Sequence, residues 1–151
     1  MSFWLLKTEP VEFSFTDLVA RGAVGEEWYG VRNYQARNMI TESLRRGDKV
    51  VIYHSSCEIP GAVGLAEVSS EVFPDSQQFN PSSDYYDPKS RVESPRWFAF
   101  TVVAKGSLKQ LVSLADIKAN PLFDDSPLVK RGSRLSVVPL TRAQWQWLSG
   151  E

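Results

Sequence analysis

The sequence predicts one α+β domain: a small curved sheet or barrel with helices on its flanks. Three observations predict it. β-type runs fill the middle of the chain, helical patterns with capping signals stand on both sides, and no linker, repeat or low-complexity segment divides it. The 151 residues are the size of one domain and can bury roughly two-thirds of their unfolded surface.

Phe3–Lys7 reads as a short strand stopped by Pro10. Ser14 is placed to cap a helix over Phe15–Leu18, with Asp17 favouring its positive end and Gly22 closing it. The segment 26–32 is expected to be loop. Asn33 is the expected N-cap of a helix to Arg46, with Ala36, Met39, Ile40, Ser43 and Leu44 on one face. Lys49–His54 is a buried-looking strand, and Gly61–Ser69 pairs naturally with it. Arg96–Ala104 is a third long strand, rich in aromatic and β-branched residues. Ser113–Ala119 suggests a short helix and Arg134–Leu140 alternates like a strand. Thr141 with Gln144 matches a capping box that opens the last helix.

Between the second and third strands lies Pro74–Pro95, too polar for a core strand yet carrying Phe79, Tyr85 and Tyr86. Tyr85 or Tyr86 is expected to anchor it against the barrel, with Ser82, Ser83 and the stretch near Ser90 mobile. Tied down beside Trp97, it would make a lid.

Composition excludes several classes. A hydrophobic fraction of 42% and a charged fraction of 23% are globular values. Apolar runs of four or five residues make no membrane span, and no export signal is visible. One cysteine and one histidine make neither a disulfide nor a four-ligand zinc site, so a cytoplasmic protein without a metal is expected. A net charge of -1 argues against coating nucleic acid by bulk electrostatics. Segments 32–46 and 105–151 are each net basic, however, and either meet as one patch or form separate solvated faces. Phosphate loops, nucleophile elbows and zinc-protease motifs are absent, which leaves only His54 with Cys57 as a weak thiol-nucleophile pairing.

The aromatic inventory says more: five Trp, five Tyr and eight Phe, several at element ends. Trp28 precedes a helix N-terminus, Tyr53 and His54 close a strand, and Trp97 opens one. Aromatics at such mouths either pack the core or line a pocket, where a flat wall stacks a nucleobase for ~1–3 kcal/mol. Trp4, Trp145 and Trp147 are read as packing residues.

The run Phe3–Pro10, followed by Trp28 and Gly30-Val31-Arg32-Asn33-Tyr34-Gln35-Ala36-Arg37-Asn38, is similar to the opening of EVE-domain proteins. These include the thymocyte nuclear protein family and small bacterial members. Gly47-Asp48-Lys49, Tyr53-His54-Ser55, Gly64–Val68, Tyr86–Lys89, Pro95-Arg96-Trp97 and Arg134–Val137 continue the match in order. The resemblance covers nearly the whole chain as one EVE domain, 1–151. It implies a PUA-like curved β pseudo-barrel with flanking helices, related to YTH and SRA-type base readers. It also implies a non-catalytic, cofactor-free reader of a methylated or hydroxymethylated cytosine flipped out of DNA.

The expected base pocket comprises Trp28 and Trp97 as walls, Val31 and Tyr53 as apolar lining, and Asn33, His54 and Ser55 as polar groups. A buried base edge must be satisfied, so an apolar cage alone would bind poorly. Lys7, Thr8 and Glu9 are expected at the rim. Arg32 and Arg37 are the phosphate contacts, with a structural salt bridge the other reading of Arg32. The partner is nucleic acid carrying a modified base, DNA before RNA, and no membrane. Other readings are an RNA-binding PUA-like module, a hydrolase or transferase using His54 as base, or a protein-interaction module with an exposed apolar patch.

Overall fold

The computed structural model describes residues 1–130 and 135–151. Phe3, Trp4, Leu5 and Leu6 are all buried, and they make β1 (Phe3–Thr8) an interior strand. β1 lies parallel to β3 (Lys49–His54), with Phe3 opposite Lys49 and Thr8 opposite His54. All other pairings among the described residues are antiparallel. β4 (Gly61–Val68) follows β3, β6 (Phe98–Ser113) follows β4, and β2 (Glu26–Trp28) closes that side. β5 (Phe73–Pro74) also pairs with β6, and β7 (Val137–Leu140) lies outside β1. Register shifts within the β4–β6 ladder bend the sheet, which curls into a half-barrel.

Among the described residues four α-helices flank it: α1 (Phe15–Ala20), α2 (Tyr34–Glu42), α3 (Leu114–Lys118) and α4 (Arg142–Ser149). The expected capping box of Thr141 with Gln144 forms, and Ser14, expected as a cap, makes a second one with Asp17, whose side chain takes the Ser14 amide. Asn33 caps α2 by accepting the Ala36 amide at 3.0 Å. Phe3 lies 5.3 Å from Trp145, and α4 seals one side of the core of Leu5, Leu6, Val50–Ile52 and Phe100.

Four boundaries differ from the sequence reading. Residues 26–28 are an edge strand, too short to display alternation. α2 ends at Glu42, because the buried Asp48 carboxylate takes the Arg45 amide and pulls the chain out of the helix. β6 runs nine residues past Ala104 to Ser113, its polar half supported by β4. β7 starts at Val137, while Arg134, the expected start of that strand, lies outside the described residues.

Gly64 marks a close approach. A Cβ there would stand 2.4 Å from the Phe15 ring, so α1 sits on β4 only because this position has no side chain. Gly64→Ala is expected to lower stability by about 2 kcal/mol in urea unfolding. Pairing it with Phe15→Leu should recover part of the loss.

Candidate functional site

Because β1 and β3 are parallel, they end side by side, which brings Lys7–Glu9 against Ser55 and Ser56. The Ser55 amide donates to the Thr8 carbonyl at 3.0 Å, and the Lys7 amide to the Ser136 carbonyl at 2.9 Å. At this edge opens a cleft of about 660 Å3, within the range of ligand sites. Phe13, Trp28, Tyr29, Val31, Tyr85 and Leu135 supply its apolar surface; Thr8, Ser55, Ser56 and Ser136 supply hydroxyls. Phe13 stands edge-on to Trp28, centroids 6.3 Å apart, and Tyr29 edge-on to Tyr85 at 5.7 Å. Thr8 Oγ1 donates to the Phe13 carbonyl at 2.7 Å and fixes the first of these corners. Ser56 holds a φ of 53°, an uncommon conformation for a residue other than glycine.

One buried carboxylate fastens the outer wall. Asp75 accepts the Gly30 amide at 2.8 Å, Arg32 Nη1 at 2.9 Å and the Gln77 amide at 2.8 Å. Arg32 also donates through Nε and Nη2 to the Tyr85 carbonyl. Gly30 has a φ of 84°, and a Cβ there would meet the Tyr85 ring at 2.8 Å. Tyr85 therefore anchors the Pro74–Pro95 segment, as one of the two expected anchors. Buried Gln78 fixes the rest, donating to the carbonyls of Asp75 and Trp97 and accepting from Ser90 Oγ and the amides of Arg96 and Trp97. Ser90, expected to be mobile, is thus tied into this network.

The charge of the cleft is acidic on balance, with Glu9, Glu12, Glu26 and Glu27 against Lys7 and Arg21. Arg21 pairs with Glu26 at 3.4 Å. Burial, then Asp75 and Glu26, push the Glu27 carboxyl above its ordinary pKa. Burial lowers that of Lys7, whose Nζ lies 5.9 Å from the Tyr53 ring centre. Tyr85 is raised by burial and by Glu12, Tyr29 and Asp84, against the opposing pull of Arg32.

Of the residues singled out by sequence, Lys7, Thr8, Glu9, Trp28, Val31 and Ser55 meet in the cleft. The others do not line it, and each has a structural engagement instead. Asn33 Oδ1 is taken up by the helix cap. Tyr53 is buried in the core, with its hydroxyl pushed up to about 12 by burial and Cys57. His54 Nε2 accepts the Phe15 amide at 3.0 Å. Trp97 Nε1 donates to Asp87 at 2.7 Å, which is the main reason that carboxyl lies below its ordinary pKa. Arg32 takes its salt-bridge reading, while Arg37 donates to the Arg96 carbonyl and to Asn38. The cleft also takes in Phe13, Tyr29, Gly30, Ser56 and Tyr85, which the sequence does not mark as cleft residues; Tyr29-Gly30 beside Trp28 is the one local signal for them. Among the described residues no group of three or more His, Cys, Asp or Glu could hold a metal ion, and no helix is long and apolar enough to cross a membrane.

The bond to His54 predicts a pH dependence. Nε2 can accept the Phe15 amide only when unprotonated, and burial lowers the imidazole pKa below its ordinary 6.5. The unfolded chain therefore binds the proton more readily, so this contribution is complete above about pH 6.5 and is lost as pH falls through the folded value. Urea midpoints at pH 7.5 and 5.5 should show a smaller drop for His54→Gln than for the unaltered protein.

A curled mixed sheet with flanking helices and a cleft at its strand ends defines an α+β curved barrel of the PUA type. The YTH domain of Zygosaccharomyces rouxii MRB1, at 17% identity and a TM-score of 0.55 over 99% of this chain and 82% of that one, shares this fold. Within that class the chain belongs to the EVE domain family, whose profile matches residues 2–150. Thymocyte nuclear protein 1 of chicken is 36% identical over 96% of this chain, and the human protein 33% over 97%. The chain spans 66% of the chicken protein's length and 72% of the human's. A crystal structure of a Pseudomonas syringae protein superposes with a TM-score of 0.90 at 39% identity, covering 97% of this chain and 96% of that one. Human THYN1 in complex with 5-methylcytosine-containing DNA superposes at 0.88 with 33% identity, covering 99% of this chain and 96% of that one.

Proposed function

We propose that this chain, as one EVE domain, reads a methylated or hydroxymethylated cytosine flipped out of DNA, and carries out no chemistry on it. The observation that supports this most is the likeness, over nearly the whole chain, to human THYN1 in complex with 5-methylcytosine-containing DNA. The cleft suits the task physically. Trp28, Phe13 and Tyr29 line the cleft with rings on which a base could stack, and Thr8, Ser55 and Ser56 line it with hydroxyls able to partner a base's polar edge. A purely binding role fits His54, whose Nε2 serves the α1 backbone instead of facing a substrate.

Titration of 5-methyl- and 5-hydroxymethyl-2′-deoxycytidine, and of short DNA strands carrying them, should quench or shift tryptophan emission saturably. Ribo-oligonucleotides of the same sequence should bind more weakly. Unchanged emission and no heat across the panel would sink the reading. Products found by mass spectrometry after long incubation, and lost in His54→Ala, would replace the reader with an enzyme.

A further inference from the structure

A file of guanidinia and rings leads away from the cleft over the protein surface. The Arg32 guanidinium lies 5.6 Å from the ring centre of Tyr85, at the cleft edge, and 5.4 Å from that of Trp97. The Trp97 ring lies 4.8 Å from that of Tyr34, and the Arg37 guanidinium 4.9 Å from Tyr34. Arg96 Nη1 donates to the Tyr34 hydroxyl at 3.4 Å, so Tyr34 stands in contact with both arginines.

The inner members of this file are fully engaged. Trp97 is buried, and Arg32 gives its donors to Asp75 and to the carbonyls of Val31 and Tyr85. The outer members are not. Tyr34 is 50% exposed. Neither Arg37 nor Arg96 has a carboxylate within ion-pairing distance among the described residues. The Asp87 carboxylate at the base of the file is already held by Trp97 Nε1 and the Lys89 amide. Holding the Pro74–Pro95 segment accounts for Arg32 and Trp97, but leaves Tyr34 and Arg96 unexplained.

We propose that Tyr34, Arg37 and Arg96 form a second contact, a cradle for a phosphate and a neighbouring base of the DNA strand whose modified base enters the cleft. The inference rests on the reading proposed above. The acidic balance of the cleft repels phosphate, so the strand's charge must be received outside it. A guanidinium is weakly hydrated and forks onto phosphate oxygens, and an exposed ring stacks a base of any sequence.

The test compares 5-methyl-2′-deoxycytidine with a short single-stranded oligonucleotide carrying the same base. Arg96→Gln should weaken the oligonucleotide about fivefold and reduce the magnitude of its salt slope by roughly 0.7. Tyr34→Ala should weaken it about tenfold. Nucleoside affinity should stay unchanged in both variants, which also reports an intact fold. Variants that bind the oligonucleotide with unaltered affinity and salt slope overturn the cradle alone. Failure of the unaltered protein to bind either ligand overturns the cleft reading itself.

Discussion

Asp75→Ala is expected to lower stability by about 3 kcal/mol, the usual scale for removing one partner of a buried ion pair. The carboxylate is fully buried and has three donors on it, the amides of Gly30 and Gln77 and the Arg32 guanidinium. Deleting it leaves a mostly buried cation and two amides without their acceptor, so the cost is desolvation as much as lost attraction. Asp75→Asn keeps the shape and some acceptors but loses the charge, and should cost about half as much. Urea unfolding measures both. In Asp75→Ala, amides of 28–33 and 82–93 should exchange faster together, because one group joins the two segments. A loss under about 1 kcal/mol, with both segments still protected, would show that Asp75 does not fasten the cleft wall.

Trp28→Ala should abolish measurable binding of the modified nucleoside, a fall of at least a hundredfold, and lower stability by about 3 kcal/mol. Trp28 is 9% exposed, its strand pairs with Phe100 of β6, and its ring meets Phe13 edge-on. Removing it takes away a wall of the cleft and a piece of the core at once. Trp28→Phe separates the two effects. Enough apolar volume remains to limit the stability loss to about 1.5 kcal/mol, while the smaller ring should still cost about tenfold in affinity. Calorimetry on both variants, with melting curves alongside, decides the matter. Nucleoside affinity unaltered in a folded Trp28→Ala would place the base elsewhere.

Local physics made much of the fold legible. Ser14 with Asp17, Asn33 and Thr141 with Gln144 announce three helices through bonds that span only three residues. Lys49–His54 is legible because it is buried along most of its length. β2 is not, since three residues at an edge carry no period and take their conformation from β6. The site divides in the same way. Trp28, Val31 and Ser55 stand out by type and position, whereas Asp75 resembles an ordinary turn aspartate after a proline. What buries it comes from 45 and 43 positions away, at Gly30 and Arg32. Within the run Gly30–Asn38, which signals the family, Gly30, Arg32 and Asn33 serve as framework: a left-handed glycine, an arginine on Asp75 and a helix cap.

The parallel pairing of β1 with β3 has a kinetic consequence. Hairpins can close early, but β1 must find a partner beyond α1, β2 and α2; the Ser2 amide meets the Asp48 carboxylate 46 positions on. Closing so long a loop is entropically slow, and contacts of that range tend to set the folding rate. Lys7–Glu9 reach Ser55 and Ser56 only through this pairing, and Trp28 is set by the still longer-range pairing of β2 with β6, so the cleft is completed by slow, long-range contacts and not by the hairpins. A partly folded molecule, even one with β3, β4 and β6 assembled, has no binding site to offer. Competence to bind should therefore appear with the final refolding phase, and chain segments lacking β1 should be silent toward any ligand.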